Sequence, residues 1–183
     1  MILAAWLSVA AAGESWFSQI RYEVGLSTQL GVGADGSVFA DHLIAEPLAF
    51  ELRSFLWPSV AFHTTLNLGR MIAPALLGDG RIDYDCHLGV HLPASRDLTL
   101  VVAPGAAIAY SFTGSGYQRI VGDVRLGLDT HHGAWTSGVY LRPYVGWYRD
   151  VDRGRAVGGL VVEVVHVVAV PKRDRGAAPP APR

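Results

Sequence analysis

Lysine is all but missing from this chain. Lys172 is the only one in 183 residues, and the other basic side chains are arginines. Charged residues make up 17% of the sequence and the formal net charge is −1. A nucleic-acid binder carries a basic stripe, so this composition argues against nucleic acid as a partner. Cys86 is alone, which excludes an internal disulfide and any cysteine-built metal centre. No segment after the N-terminus holds ~18 uninterrupted apolar residues, so no helix is expected to span a membrane. What the chain does have is apolar residues, 50% of the total, a high share for a water-soluble domain. Its length fits one domain.

The two ends differ from the middle. MILAAWLSVAAAGES opens with an apolar run that closes on Ala10-Ala11-Ala12. This is a small-residue cleavage pattern without the usual basic flank, and residues 1–12 read as a signal peptide. PKRDRGAAPPAPR, residues 171–183, can neither pair in a sheet nor pack a core and reads as a disordered tail. Residues 13–170 remain as the folded domain.

Within that domain one pattern recurs. RIDYDCHLGVHL (81–92) sets Arg81, Asp83, Asp85, His87, Gly89 and His91 against Ile82, Tyr84, Cys86, Leu88, Val90 and Leu92. Strict alternation over this length is a two-faced strand. Similar alternation predicts strands at about 19–33, 47–56, 59–70, 98–112, 117–130, 135–149 and 157–170, eight in all with the first. Polar turns at Trp57-Pro58-Ser59, Pro93-Ala94-Ser95-Arg96 and His131-His132-Gly133 join strands 2–3, 4–5 and 6–7. The intervening links are longer or richer in turn residues. Pro104 and Pro143 fall inside strands and predict bulges or irregular pairing there.

The polar face holds many small residues (Gly25, Ser27, Ala61, Gly89, Ala103, Gly105, Ala107, Ala109, Gly127) and no lysine. A water-facing surface has no need of these, whereas the bore of an eight-stranded barrel does. The other face is large, branched or aromatic, as lipid tolerates. Trp135 and Trp147 share it on one strand; twelve residues at ~3.3 Å and ~40° tilt separate them by roughly 30 Å, the spacing of two aromatic girdles. Trp16 and Phe17 would join the lower girdle. The predicted fold is all-β: an eight-stranded antiparallel up-and-down transmembrane β-barrel.

In this pattern, over about residues 16–170, the chain resembles the small eight-stranded outer-membrane barrels of Gram-negative bacteria, the OmpA- and OmpW-type family. The resemblance implies residence in the cell outer membrane, a porin-like wall in contact with lipid, and delivery by the barrel assembly machinery. It also implies short turns and both ends on the periplasmic side, with the link 34–46 outside the cell. Members of the family usually end the last strand in an aromatic residue, whereas this one ends on Val170 and runs into the tail.

Thirteen charged side chains are expected in the lumen: Arg21, Arg53, Arg81, Arg119, Arg125 and Arg142 with Glu23, Glu51, Asp83, Asp85, Asp123, Asp129 and Glu163. Near-equal numbers suggest pairing, because an unpaired buried charge is costly. Hairpin arithmetic with a turn centred near 132 sets Asp123 opposite Arg142, and a link centred near 153 sets Arg142 opposite Glu163. It also brings Arg21 and Glu23 near Glu51 and Arg53. Such an ion-paired plug either fills the bore or gates a narrow solute path.

His63 and His87 are expected to face each other with His91 further along the same wall. Hydrogen-bonded histidines fit better than a metal site, because no carboxylate or cysteine completes a recognised ligand spacing. His131-His132 falls in a turn and reads as solvated. HTTLN (63–67) is similar at a glance to a His-x-Ser-Asn arrangement of outer-membrane lipid-modifying enzymes but lacks the serine. No catalytic set can be assembled.

The sequence therefore predicts a non-enzymatic outer-membrane barrel, without metal or cofactor, in a structural, interaction or minor solute-passage role. The alternative is a soluble lipocalin-like or sandwich protein that binds a hydrophobic ligand. A lipid-modifying enzyme is the third reading.

Overall fold

A computed structural model describes residues 20–34, 42–67, 81–111, 118–149 and 154–171. The expected signal peptide, Trp16 and Phe17, the four longer links and the expected disordered segment beyond residue 171 lie outside the described residues. Eight strands follow in chain order: β1 (Arg21–Ala34), β2 (His42–Trp57), β3 (Val60–Asn67), β4 (Arg81–Pro93), β5 (Leu98–Ser111), β6 (Gln118–His132), β7 (Trp135–Arg149) and β8 (Gly154–Ala169). Each pairs antiparallel with its sequence neighbours, and β8 pairs with β1 to close the barrel. Closure leaves no free sheet edge.

The register sets the dimensions. Inward positions step from Asp129 to Gly138, Val165, Ser27, Ala49, Asn67, Asp83 and Ala109, then return to β6 at Arg119. One circuit thus climbs ten residues along β6. For eight strands that stagger means a tilt of about 40° and a backbone radius of about 8 Å, a bore that side chains fill.

Alternation decides the two faces. Arg53, His63, Arg125, Tyr140 and Glu163 are fully buried, while Leu26, Leu88, Ile108, Leu126, Leu141 and Val145 are exposed. This is the reverse of a lipocalin-type barrel, whose bore would hold the apolar set. Outward Trp57 and Trp135 lie near the short-turn end, and outward Tyr110 and Trp147 near the other. The exterior is therefore an apolar band between two aromatic levels.

Local details depart from the sequence reading. β2 begins five residues earlier than expected, at His42, while residues 68–70 of the expected third strand lie outside the described residues. Pro104 and Pro143 interrupt individual pairings, but the register on either side of each is unchanged. Their rings point outward and are exposed, so the lost N–H is the whole effect. The slip falls instead where Pro47 and Leu48 stand opposite Thr28, and a second follows Phe55. Proline at a bulge of β2 escapes the ladder bond it cannot donate. The β6–β7 turn consists of Gly133 and Ala134, with Gly133 at φ 65. Positive φ at the first central residue is the turn that matches strand twist in a two-residue hairpin.

Candidate functional site

The lumen is occupied by a column of three arginines, each held by carboxylates from other strands. Nearest the short turns is Arg53 on β2. Its Nη1 lies 2.7 Å from Asp129 Oδ2 and 3.7 Å from Glu23 Oε2, and its Nη2 donates to the Tyr140 hydroxyl at 2.7 Å. The Tyr140 hydroxyl in turn donates to Asp129. Arg125 on β6 comes next. It donates to Glu51 Oε1 at 3.0 Å, Thr65 Oγ1 at 2.5 Å and Glu163 Oε1 at 3.0 Å. Arg142 on β7 completes the column. It bonds Asp123 through Nε and Nη2, meets Asp85 Oδ2 at 2.8 Å, and reaches Glu163 Oε2 at 3.4 Å.

Glu51 and Glu163 tie the column together. Glu51 meets Arg125 and, at 3.5 Å, Arg53 Nε, and it accepts from Thr65 Oγ1 at 2.6 Å. Glu163 is shared by Arg125 and Arg142 and accepts from Gln29 Nε2 at 3.2 Å. A carboxylate has lone pairs for several donors and a guanidinium five N–H groups. Each buried charge here has several charged or polar partners, which is the condition under which burial of ions is tolerable. The excess of carboxylates over arginines makes each guanidinium a bridge between acids.

The register explains which expected contacts form. The turn lies one residue later than expected, so Asp123 stands opposite Tyr144 rather than Arg142. Glu163 stands opposite Tyr140, and Arg142 opposite Val161. Arg142 nevertheless reaches both acids diagonally, because its side chain spans two rungs. Glu23 does stand opposite Arg53. Arg21 does not enter the column: its side chain is half exposed at the rim, 3.6 Å from Glu23 and stacked 3.9 Å over the Phe55 ring. Arg119 meets Asp83 at 3.5 Å near the opposite end. The Arg81 side chain is outside the described set.

The histidines divide differently from expectation. His63 and His87 are register partners, but their rings part. His63 Nε2 meets His91 Nε2 at 2.9 Å, and His87 Nε2 meets Asp123 Oδ1 at 2.5 Å. Glycine on the next strand makes room for each ring. A Cβ at Gly89 would stand 2.5 Å from His63 Nε2, and one at Gly105 2.4 Å from His87 Cδ2. Buried in the bore, His63 also leaves HTTLN no exposed base. Of the expected solvated pair, His132 is exposed, whereas His131 is half-buried near the end of β6 between the Thr99 and Thr136 hydroxyls, at 2.9 and 3.1 Å. Among the described residues, no three His, Cys, Asp or Glu side chains gather as metal ligands would.

Two contributors lay outside the sequence reading. Tyr140 was visible only as an inward tyrosine, and Thr65 as a polar residue of β3. Neither type signals a charged partner by itself.

No protein-family model matches the chain, and no curated protein matches its sequence. Among solved structures it is similar to a de novo designed transmembrane β-barrel, at 11% identity over 82% of this chain and 95% of that one, with a TM-score of 0.41. It is also similar to Ail, the attachment invasion locus protein of Yersinia pestis, at 11% identity over 81% of this chain and 97% of that one, with a TM-score of 0.37. Likenesses this distant concern the barrel alone and carry no residue or role across.

Proposed function

We propose that the chain is an integral outer-membrane barrel that does not conduct, and whose role is structural or lies in interactions at its wall and ends. Supporting the membrane placement is the exposed apolar band between Trp135 and Trp147, which water would penalise and hydrocarbon would not. Residence in the outer membrane follows from the class of barrel, because closed antiparallel barrels of this size are built there. Bilayer lipid and the barrel assembly machinery are the partners this reading requires.

The closed lumen rests on one observation, the unbroken column Arg53–Arg125–Arg142 with its carboxylates. A passing solute would have to separate ion pairs among which Arg53, Glu51, Arg125 and Glu163 are wholly buried. Planar-bilayer recording on refolded protein tests this. Wild-type protein is expected to give no steady conductance steps, and regular ohmic steps would overturn the closed plug. The membrane placement has its own test. Wild-type protein that is folded and monodisperse in buffer without detergent would overturn it.

A further inference from the structure

The exterior contains a polar run that the plug does not use. Thr130 pairs with Ser137, and Ser137 with His166, so three polar side chains lie side by side on β6, β7 and β8. Ser137 Oγ and His166 Nδ1 are 3.0 Å apart on the exposed face, and Thr130 Oγ1 donates to the Ser137 carbonyl at 3.1 Å. One rung nearer the short turns, His132 pairs with Trp135, and both are exposed. Apolar neighbours surround the run: Leu26 stands beside His166, and Leu128, Val139 and Val164 form the next rung inward from the rim.

Depth and chemistry together specify an occupant. The run begins one rung inside Trp135, where headgroups give way to acyl chains in an aromatic-girdled barrel. The Ser137 hydroxyl occupies Nδ1, and in the tautomer in which it donates there the ring's proton sits on Nε2, which has no partner among the described residues. A donor facing hydrocarbon is unfavourable unless an acceptor reaches it. No carboxylate of the described strands lies on this face. Ester and phosphate oxygens are the acceptors that occur at this depth. The apolar residues around the run suit the acyl chains of the same molecule.

We propose that Thr130, Ser137 and His166 seat the ester and phosphate region of one glycerophospholipid from the short-turn leaflet. His166 Nε2 donates to a lipid oxygen, Ser137 orients the ring, and Trp135 packs beside the glycerol. This rests on the membrane reading above.

Native mass spectrometry of refolded protein titrated with phosphatidylglycerol tests it, with Ser137→Val/His166→Leu as the variant. The variant keeps the barrel by removing polar atoms from an apolar face. It is expected to retain the first lipid roughly tenfold less tightly than wild type, as for loss of one charge-assisted or ester hydrogen bond. Glycerol phosphate, which lacks acyl chains, is expected not to displace that lipid. Should the double variant fail to fold, Ser137→Ala alone is expected to weaken retention several-fold by releasing the ring. Wild-type protein that inserts into bilayers yet holds lipid no better than the folded variant overturns the seat and leaves the membrane reading intact. Protein that stays folded in buffer overturns both.

Discussion

The two halves of the lumen are sealed by different means. Toward the short turns, the side chains of Val101, Ala103, Tyr140, Val165 and Val167 form a buried apolar cluster, and the buried Arg53–Asp129 pair is joined to it through Tyr140. The His63–His91 pair and Phe55 close that end. Toward the longer links, the wall divides. Ala107, Val121, Tyr144, Val157 and Val161 form an apolar side on β5 to β8, while Gln29, Asn67, Asp83 and Asp85 line the other side and Arg119 of β6 reaches over to Asp83. Between the two sides a cavity of about 20 Å³ remains beside Arg142 and Asp123, room for one or two waters. Charges in the first half depend on each other and on the Tyr140 and Thr65 hydroxyls, whereas those in the second have solvent within reach. Equal chemistry should therefore have unequal cost in the two places.

Arg125→Ala is the severest test. It strips Glu51, Glu163 and Thr65 of their common partner in the dry part of the bore. The loss expected is about 3–5 kcal/mol, as for other buried pairs broken on one side, read from urea unfolding in lipid vesicles. Leu126→Arg on the outer face comes next, at about 2–4 kcal/mol if the residue sits near the bilayer midplane. In that variant the plug contacts should be unchanged, which separates wall from lumen.

Arg142→Ala is expected to cost less than Arg125→Ala, because water in the adjoining cavity can hydrate Asp85 and Asp123. It should instead introduce a small cation-preferring conductance, and a trace identical to that of wild type would show that the half toward the short turns alone seals the barrel. Asp123→Ala should do less again, since Arg142 keeps Asp85 and Glu163. Gly133→Ala is the mildest. No atom lies within 4 Å of the added Cβ, so only the left-handed backbone conformation is penalised, by about 1–2 kcal/mol. A loss matching that of Arg125→Ala would mean that the β6–β7 hairpin, rather than the plug, limits stability.

Much of the wall was legible. Alternation alone separates Leu126 from Arg125 and Leu141 from Arg142, and the strand count follows from the turn residues. Register was not legible to the rung. Placing the β6–β7 turn at 132 instead of between Gly133 and Ala134 displaces every cross-strand partner, and Asp123 lands on Arg142 instead of Tyr144. Proline was legible as a defect but not as to which kind. Pro104 and Pro143 sit where one missing donor is absorbed, whereas Pro47 marks the slip.

The least visible contacts were those across the bore. Arg53 and Glu51 on β2 find Asp129 and Arg125 on β6, four strands away in either direction around the wall. Hairpin reasoning proposes only neighbours, so it cannot reach a diametric pair. It takes the ten-residue climb of the closed register to bring those two strands to matching heights.

Those diametric pairs bear on how the wall answers lateral pressure. An empty tube of paired strands flattens easily, since changing its cross-section from circular to oval only bends the ladder between neighbours. Arg53–Asp129 and Arg125–Glu51 act as tie-rods on one diameter, while the hydroxyl of Tyr140 and the Thr65 side chain brace their ends. Stretching that diameter would part oppositely charged groups with nothing to solvate them, and shortening it would crush side chains already in contact. The axis through β2 and β6 is thus the stiff one. Compression by crowded neighbours or a thickening bilayer should be taken up by the wall toward the longer links, where the cavity leaves slack.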